Sequence, residues 1–261
     1  MRKIIILLFT VLSAASCRSE KIDDSIHILL SEAEELYKKG LLLSGHEREE
    51  AFLQSAFAYD EAMRKGNLEN PFVFYNAANS YLLAGNTGEA VLYYRKAESK
   101  FPSSRQIRHN LSEARNSVPL KIERKETNHI IKTVFFFHYD FSAGIKFKIL
   151  AFFVFLIFAG ASFLLFRNIN YLKTLLIILS FLAILFAGSL IIESMQPIEG
   201  VVIQSVSGRK GDSEGYDKVF NEDLSPGVEF KVLENRSGWL YIKLTDGHTC
   251  WIPEESADLI N

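Results

Sequence analysis

Residues Tyr75–Ala97 read YNAANSYLLAGNTGEAVLYYRKA, and the spacing of small and aromatic residues in this stretch decides the fold of the first half of the chain. Ala77, Ala78 and Tyr81 fall on one helical face, and Ala90, Tyr94 and Ala97 fall on another. Gly85 and Gly88 punctuate the break, where one helix has to stop and the next begin. Small side chains let two helix axes come close, and tyrosines fill the gaps beside them. The stretch therefore reads as a helical hairpin, and a hairpin of this size cannot bury its own apolar faces without neighbours to stack on.

Neighbours are visible on both sides. Ser55, Tyr59 and Ala62 sit 35 residues before Ala90, Tyr94 and Ala97, whereas Ala33 and Tyr37 sit 44 residues before Ala77 and Tyr81. The mismatch of 9 predicts inserted residues between the two upstream helices, around LLLSGHERE. Downstream, SRQIRHNLSEARN begins like another first helix, with Asn110 lying 34 residues after Asn76, but nothing completes the pair before Pro119, so this helix is expected to be a cap.

The spacing resembles a tetratricopeptide repeat, whose period is about 34 residues. With Pro71 as the first position, Phe74, Ala77, Ala78 and Tyr81 fall on the first-helix signature, and Ala90, Tyr94, Ala97 and Pro102 on the second. The resemblance implies a solenoid with a concave face lined by Phe72, Tyr75, Asn79, Leu82 and Leu83. Asn76 and Asn110 match the position where some repeat proteins hold a peptide backbone or terminal carboxylate. The basic residues of such a clamp are not in their family places, although Arg105 and Arg108 are nearby. The expectation is an apolar and aromatic groove for a partner's extended segment or helix; the alternative is that these side chains only cover the core.

Charge is nearly balanced over the 261 residues, at −2, but unevenly distributed. Residues 18–118 carry 13 basic and 15 acidic residues, residues 119–148 carry 6 and 3, and residues 198–261 carry 6 and 12. Neither soluble region is basic, which argues against nucleic-acid binding. The two cysteines, Cys17 and Cys250, form no CxxC or Cys/His zinc spacing. The six histidines form no HExxH or ligand cluster, and there is no Walker loop or Ser-His-Asp pattern. No enzyme, metal or cofactor is expected.

MRKIIILLFTVLSAASC has a basic start, a short apolar run and small residues, which fits a signal peptide over 1–17. Cys17 after Ala14-Ala15-Ser16 resembles a bacterial lipobox with Ala14 where Leu is usual, and so implies lipidation of Cys17; ordinary cleavage nearby and a retained anchor are the alternatives. All three place the next segment outside the cytoplasm. Ile149–Phe166 and Thr174–Ile192 are free of charge, and each approaches the ~20 residues of a spanning helix. Residues 167–173 between them predict a tight cytoplasmic loop with Arg167 and Lys173, while Lys132, Lys146 and Lys148 on the other flank argue for the opposite orientation. The leader decides for outside, inside, outside. Ala183 and Ala187 offer a small-xxx-small step where the helices touch. The linker over 119–148 ends in VFFFHYDF, whose rings suit the headgroup layer. With no ionisable residue inside either span, the hairpin reads as an anchor to the lipid bilayer rather than a transporter.

After Pro197 the texture changes to short alternating runs. VEFKVLE, WLYIKLT and TCWIP read as strands, separated by Asn-Arg-Ser-Gly and Asp-Gly turns. LSPGVEFKVLENRSGWLYIKLTDGHTCWIP resembles the bacterial SH3-like domain, with Gly227, Trp239, Asp246, Gly247, Trp251 and Ile252 as landmarks and Cys250 where the family usually has Gly. The resemblance implies an all-β barrel over 198–261. Trp239 and Trp251 are expected to supply core, or else an aromatic ligand shelf, with Tyr216 and Tyr241 as the candidates for exposed contacts. Cys250 is an improbable nucleophile: alternation puts it on the same face as His248, with no acid to orient the imidazole.

The order of leader, repeats (18–118), membrane hairpin and SH3-like tail makes the chain multidomain. It resembles the BatE-type proteins of the Bacteroides aerotolerance (Bat) operon. That resemblance implies partners among von Willebrand factor A domain membrane proteins, alongside a MoxR-type ATPase, in oxidative or envelope stress tolerance. The expected function is a periplasmic, inner-membrane-anchored scaffold; the alternative is a reader of peptidoglycan peptides through the tail.

Overall fold

The computed structural model describes residues 24–120, 122 and 133–260. The leader with Cys17, and the basic linker residues 121 and 123–132, lie outside the described residues.

Five helices open the described chain: α1 (Asp24–Leu42), α2 (Gly45–Gly66), α3 (Pro71–Leu83), α4 (Thr87–Lys100) and α5 (Arg105–Asn116). Each packs against the next. The start of α3 is written locally: Pro71 occupies the first turn, and the Asn70 side chain accepts from the Phe72 amide at 2.8 Å. Between α3 and α4, Gly85 has φ +83°, a left-handed conformation that ends the helix at little cost. Ser104 caps α5 by accepting from the Ile107 amide at 3.3 Å.

The small positions do what their spacing implies. Ala33, Ala56, Ala62, Ala77, Ala78, Ala90 and Ala97 are fully buried where helices meet. Ser55 fits among them because its hydroxyl donates to the Ala33 carbonyl at 2.7 Å and shares a 3.0 Å hydrogen bond with Ser80. The extra residues around LLLSGHERE do not form a loop. They lengthen the helices instead: α1 and α2 run 19 and 22 residues, against 13 and 14 for α3 and α4. Helix propagation costs less than an ordered loop once a neighbour covers the face.

After a one-turn helix, α6 (Phe136–Tyr139), come two helices long and apolar enough to cross a membrane, α7 (Ala143–Leu164) and α8 (Asn170–Ser194). They overlap the expected spans at 149–166 and 174–192. Both helices extend past the charge-free runs, so α7 contains Lys146 and Lys148, α8 contains Lys173 and Glu193, and the connection shrinks to 165–169. A charge is tolerated there because it has a partner: Lys146, 1 % exposed, pairs with Glu193 at 2.8 Å. The helices also approach closely at Gly160, where an added Cβ would lie 2.7 Å from Leu176 Cδ2.

The chain ends in a five-stranded antiparallel sheet, ordered β4-β3-β2-β1-β5. The strands are β1 (Glu199–Val202), β2 (Glu229–Arg236), β3 (Trp239–Leu244), β4 (Thr249–Pro253) and β5 (Ala257–Ile260). The β2–β3 turn carries positive φ at both central residues, Ser237 (51°) and Gly238 (83°), which matches the twist of a tight hairpin. Phe230, Leu240, Ile242, Leu244, Cys250 and Ile252 form the buried face.

The helices and the sheet share one core. Val91, Leu111, Ala114 and Val118 belong to the same buried cluster as Val201, Val202, Leu224, Val228 and Phe230. Packing is therefore continuous between residues of 18–118 and residues of 198–261. Gly88 shows why the fit is close. It does not punctuate a turn but lies inside α4, where an added Cβ would meet Ile203 Cα and the Val202 carbonyl, both at 3.1 Å.

Candidate functional site

The inner face of the first helices holds a small groove, lined by Glu34, Tyr37, Lys38, Tyr59, Asn76 and Asn79, with a volume of about 170 Å³. Small-molecule sites usually enclose about 300–1,000 Å³, so this groove suits a side chain or a short backbone segment. Burial pushes the Tyr59 hydroxyl up to about 12, with Glu34 adding to the effect and a hydrogen bond with Asn76 opposing it. The phenol is a neutral hydrogen-bonding group.

The residues expected on the concave face divide into two sets. Tyr75, Asn79 and Asn110 are engaged with one another and with the next helices. The Tyr75 hydroxyl accepts from Asn110 Nδ2 and from Gln106 Nε2, each at 2.8 Å, and Asn79 Oδ1 accepts from the Tyr94 hydroxyl at 2.5 Å and from Asn110 Nδ2 at 3.0 Å. These amides and phenols fasten α3 to α4 and α5, so Asn110 is committed to the fold rather than to a carboxylate clamp. Leu82 packs against the core and Leu83 is half-buried. Phe72, 62 % exposed, and Arg105 face solvent. Arg108 donates to the Pro102 carbonyl at 2.7 Å and points toward Asp140 at 3.8 Å.

A second feature is the seam between α4, α5 and the sheet. Arg115 makes a two-pronged contact with Glu229, at 2.8 and 2.9 Å. Arg95 pairs with Glu98 at 2.6 Å, with Glu229 at 3.5 Å and with Glu199. Burial works against the Arg95 guanidinium, but Glu229, Glu98 and Glu199 outweigh it and hold its pKa above the ordinary arginine value. Lys96 reaches Asp258 at 3.3 Å. The cleft beside these pairs, about 590 Å³, is lined by both signs of charge, including Arg95, Glu199, Glu229 and Lys231. Nothing in the reading of the motifs names these residues, yet a signal existed: residues 95–115 hold 6 basic residues against 2 acidic ones, facing a tail with twice as many acids as bases.

In the sheet, Trp251 is 9 % exposed and Trp239 half-buried, with Trp239 and Tyr241 alternating against the buried Leu240, Ile242 and Leu244. Tyr241 stacks on Trp251 with centroids 5.1 Å apart, and the Arg236 guanidinium lies 5.4 Å over the same indole. The Tyr241 hydroxyl is bonded to Thr249 at 3.0 Å, while Tyr216 is 50 % exposed. An acid does orient His248, contrary to expectation: Asp246 Oδ2 lies 2.9 Å from its Nδ1. The thiol is nevertheless inert, because Cys250 is 1 % exposed and burial pushes it up to about 12.

At the base of the helices, α6 folds onto α8. His138 Nδ1 and the Ser189 hydroxyl share a 2.7 Å hydrogen bond, and Phe137 and Phe141 pack on Phe186. Burial, with Lys146 acting in the same direction, lowers the His138 pKa and favours the neutral ring. Among the described residues, no group of three or more His, Cys, Asp and Glu side chains could hold a metal ion. Comparison of the chain with family models, with curated proteins and with solved structures finds no match.

Proposed function

We propose that this chain is a non-catalytic scaffold of the bacterial inner membrane, whose tetratricopeptide-type helices and SH3-like tail both work on the periplasmic side. The observation that carries the reading is the seam. Two bodies that flank a helical hairpin and share a core through Val91, Val118, Val202 and Phe230 lie on the same side of any bilayer the hairpin crosses. The leader sets that side as the periplasm. Ordinary protein contacts are the work that a polar groove of about 170 Å³ and an exposed Phe72 support best. On the BatE-type resemblance, the partners are von Willebrand factor A domain membrane proteins of a Bat and MoxR-type assembly concerned with oxidative or envelope stress.

A peptidoglycan-peptide reader is less supported, since Trp251 lies in the core and much of the tail's buried face is shared with α4 and α5. The test is a photoreactive residue at Phe72 or Lys38 of the full chain in cells, together with a topology reporter at the C-terminus. The expected result is crosslinking to another membrane protein and a reporter active outside the cytoplasm. A cytosolic reporter, or crosslinks only to wall fragments, would refute the proposal.

A further inference from the structure

Where α6 lies on α8, two cavities meet. One is an apolar slot of about 340 Å³, walled by Phe135, Phe137, Ile184, Leu185 and Ile192, with Gly188 on its floor. Gly188 is there as open space: a Cβ added to it meets no atom within 4 Å. The other is a polar pocket of about 380 Å³, whose lining includes Arg108, Asp140, Ser142, Lys146 and Glu193. His138 and Tyr139 line both, so the two adjoin at the end of the apolar hairpin and together offer an amphipathic cavity.

The charges of the polar part select its occupant. Lys146 is 1 % exposed and already spent on Glu193. Of the side chains that reach the opening, Arg108 is 44 % exposed, Asp140 45 % and Glu193 40 %. With Arg95 and Glu98 also on the lining, three cations face three carboxylates, and a pocket of balanced charge suits a group that carries a phosphate and a primary ammonium together. A purely anionic headgroup that took Arg108 would leave Asp140 without a cationic partner, whereas an ammonium on the same head restores one. The guanidinium has five N–H donors, and its contacts to Pro102 and Asp140 leave donors over for a phosphodiester oxygen.

We infer that this cavity holds one glycerophospholipid of the surrounding leaflet with a zwitterionic, ethanolamine-type head, its acyl chain in the slot over Gly188, its phosphate on Arg108 and its ammonium between Asp140 and Glu193. The inference rests on the membrane placement proposed above. Because Arg108 belongs to α5 and Gly188 to α8, the lipid fastens the helical body to the hairpin.

The experiment is native mass spectrometry of the full chain, purified in mild detergent and supplied with phosphatidylethanolamine or phosphatidylglycerol. The wild type should retain one phosphatidylethanolamine in preference to phosphatidylglycerol. Gly188→Leu, which fills the slot without emptying any core, should lose it. Arg108→Ala should weaken retention by about tenfold or more, the usual effect of losing a hydrogen bond to a charged group. Circular dichroism identical to wild type shows that the variants fold. Equal retention in Gly188→Leu, or preference for phosphatidylglycerol, would overturn the inference. Release of the chain from membranes by alkaline carbonate would instead mark failure of the membrane placement itself.

Discussion

Gly88→Val tests whether the helices and the sheet are one folded body. In a free helix the substitution is mildly favourable, because Gly is the worse helix former by a few tenths of a kcal/mol. In the docked structure the new Cβ would sit 3.0 Å from Pro226 Cβ and 3.1 Å from both Ile203 Cα and the Val202 carbonyl. Two of those three atoms are backbone, one in β1 and one in the residue directly after it, so they cannot move aside by a rotamer change. Overpacking of this kind costs about 1–3 kcal/mol, which exceeds the helix gain and reverses the sign. For a cooperative unit of this size, a loss of about 2 kcal/mol lowers Tm by about 4–8 °C. The assay is thermal unfolding of the detergent-solubilised full chain, paired with limited proteolysis of the sheet. A Tm at or above wild type with an unchanged proteolytic pattern would mean that α4 and the sheet do not touch at Gly88, and the shared core would fall with it.

Three further expectations follow from single residues. Cys250 should resist a maleimide in the native chain, in a Cys17→Ser background, and react fully on denaturation; rapid native labelling would contradict its burial. Burial raises the Asp60 carboxyl, against opposing hydrogen bonds from Tyr81 and Tyr93, so the native state binds this proton more tightly than the unfolded chain does. Stability relative to Asp60→Asn should therefore fall as pH rises from about 4 through the raised pKa, and a stability difference independent of pH would disprove the assignment. Glu193→Gln takes the partner from the buried Lys146 ammonium and should lower Tm more than Lys146→Met with Glu193→Leu does; equal effects of the single and double variants in detergent melts would argue that Lys146 does not depend on Glu193.

Local and periodic features were legible in the sequence because each is written within a few residues. Ala77, Ala78 and Tyr81 mark a helix face at 3.6-residue spacing, and Trp239–Leu244 marks a strand by alternation. What escaped was long-range. Gly88 looks like turn punctuation until Ile203, 115 positions later, is seen to need the space its side chain would take. Arg95 and Arg115 look like solvated helix charges until Glu199 and Glu229 arrive from the far side of the hairpin. The spacing of Asn110 does not tell whether its amide faces a ligand or a neighbouring tyrosine, and its bond to Tyr75 is visible only in the fold. Lys146 and Glu193 were placed outside the spans because charge ends an apolar run in a hydropathy reading; their mutual neutralisation becomes visible only when α7 and α8 lie side by side.

The seam also sets the order in which the chain can mature. Residues such as Val91, Leu111 and Val118 are made early, but the strands that cover them emerge from the ribosome only after both apolar helices. On the proposed membrane placement, the helical body carries an uncovered apolar flank until that hairpin is inserted and the last sixty or so residues reach the same compartment. On that placement, a chain in which only one of the two helices crosses would hold the sheet on the opposite face and leave that flank bare, so completion of the sheet depends on both helices crossing.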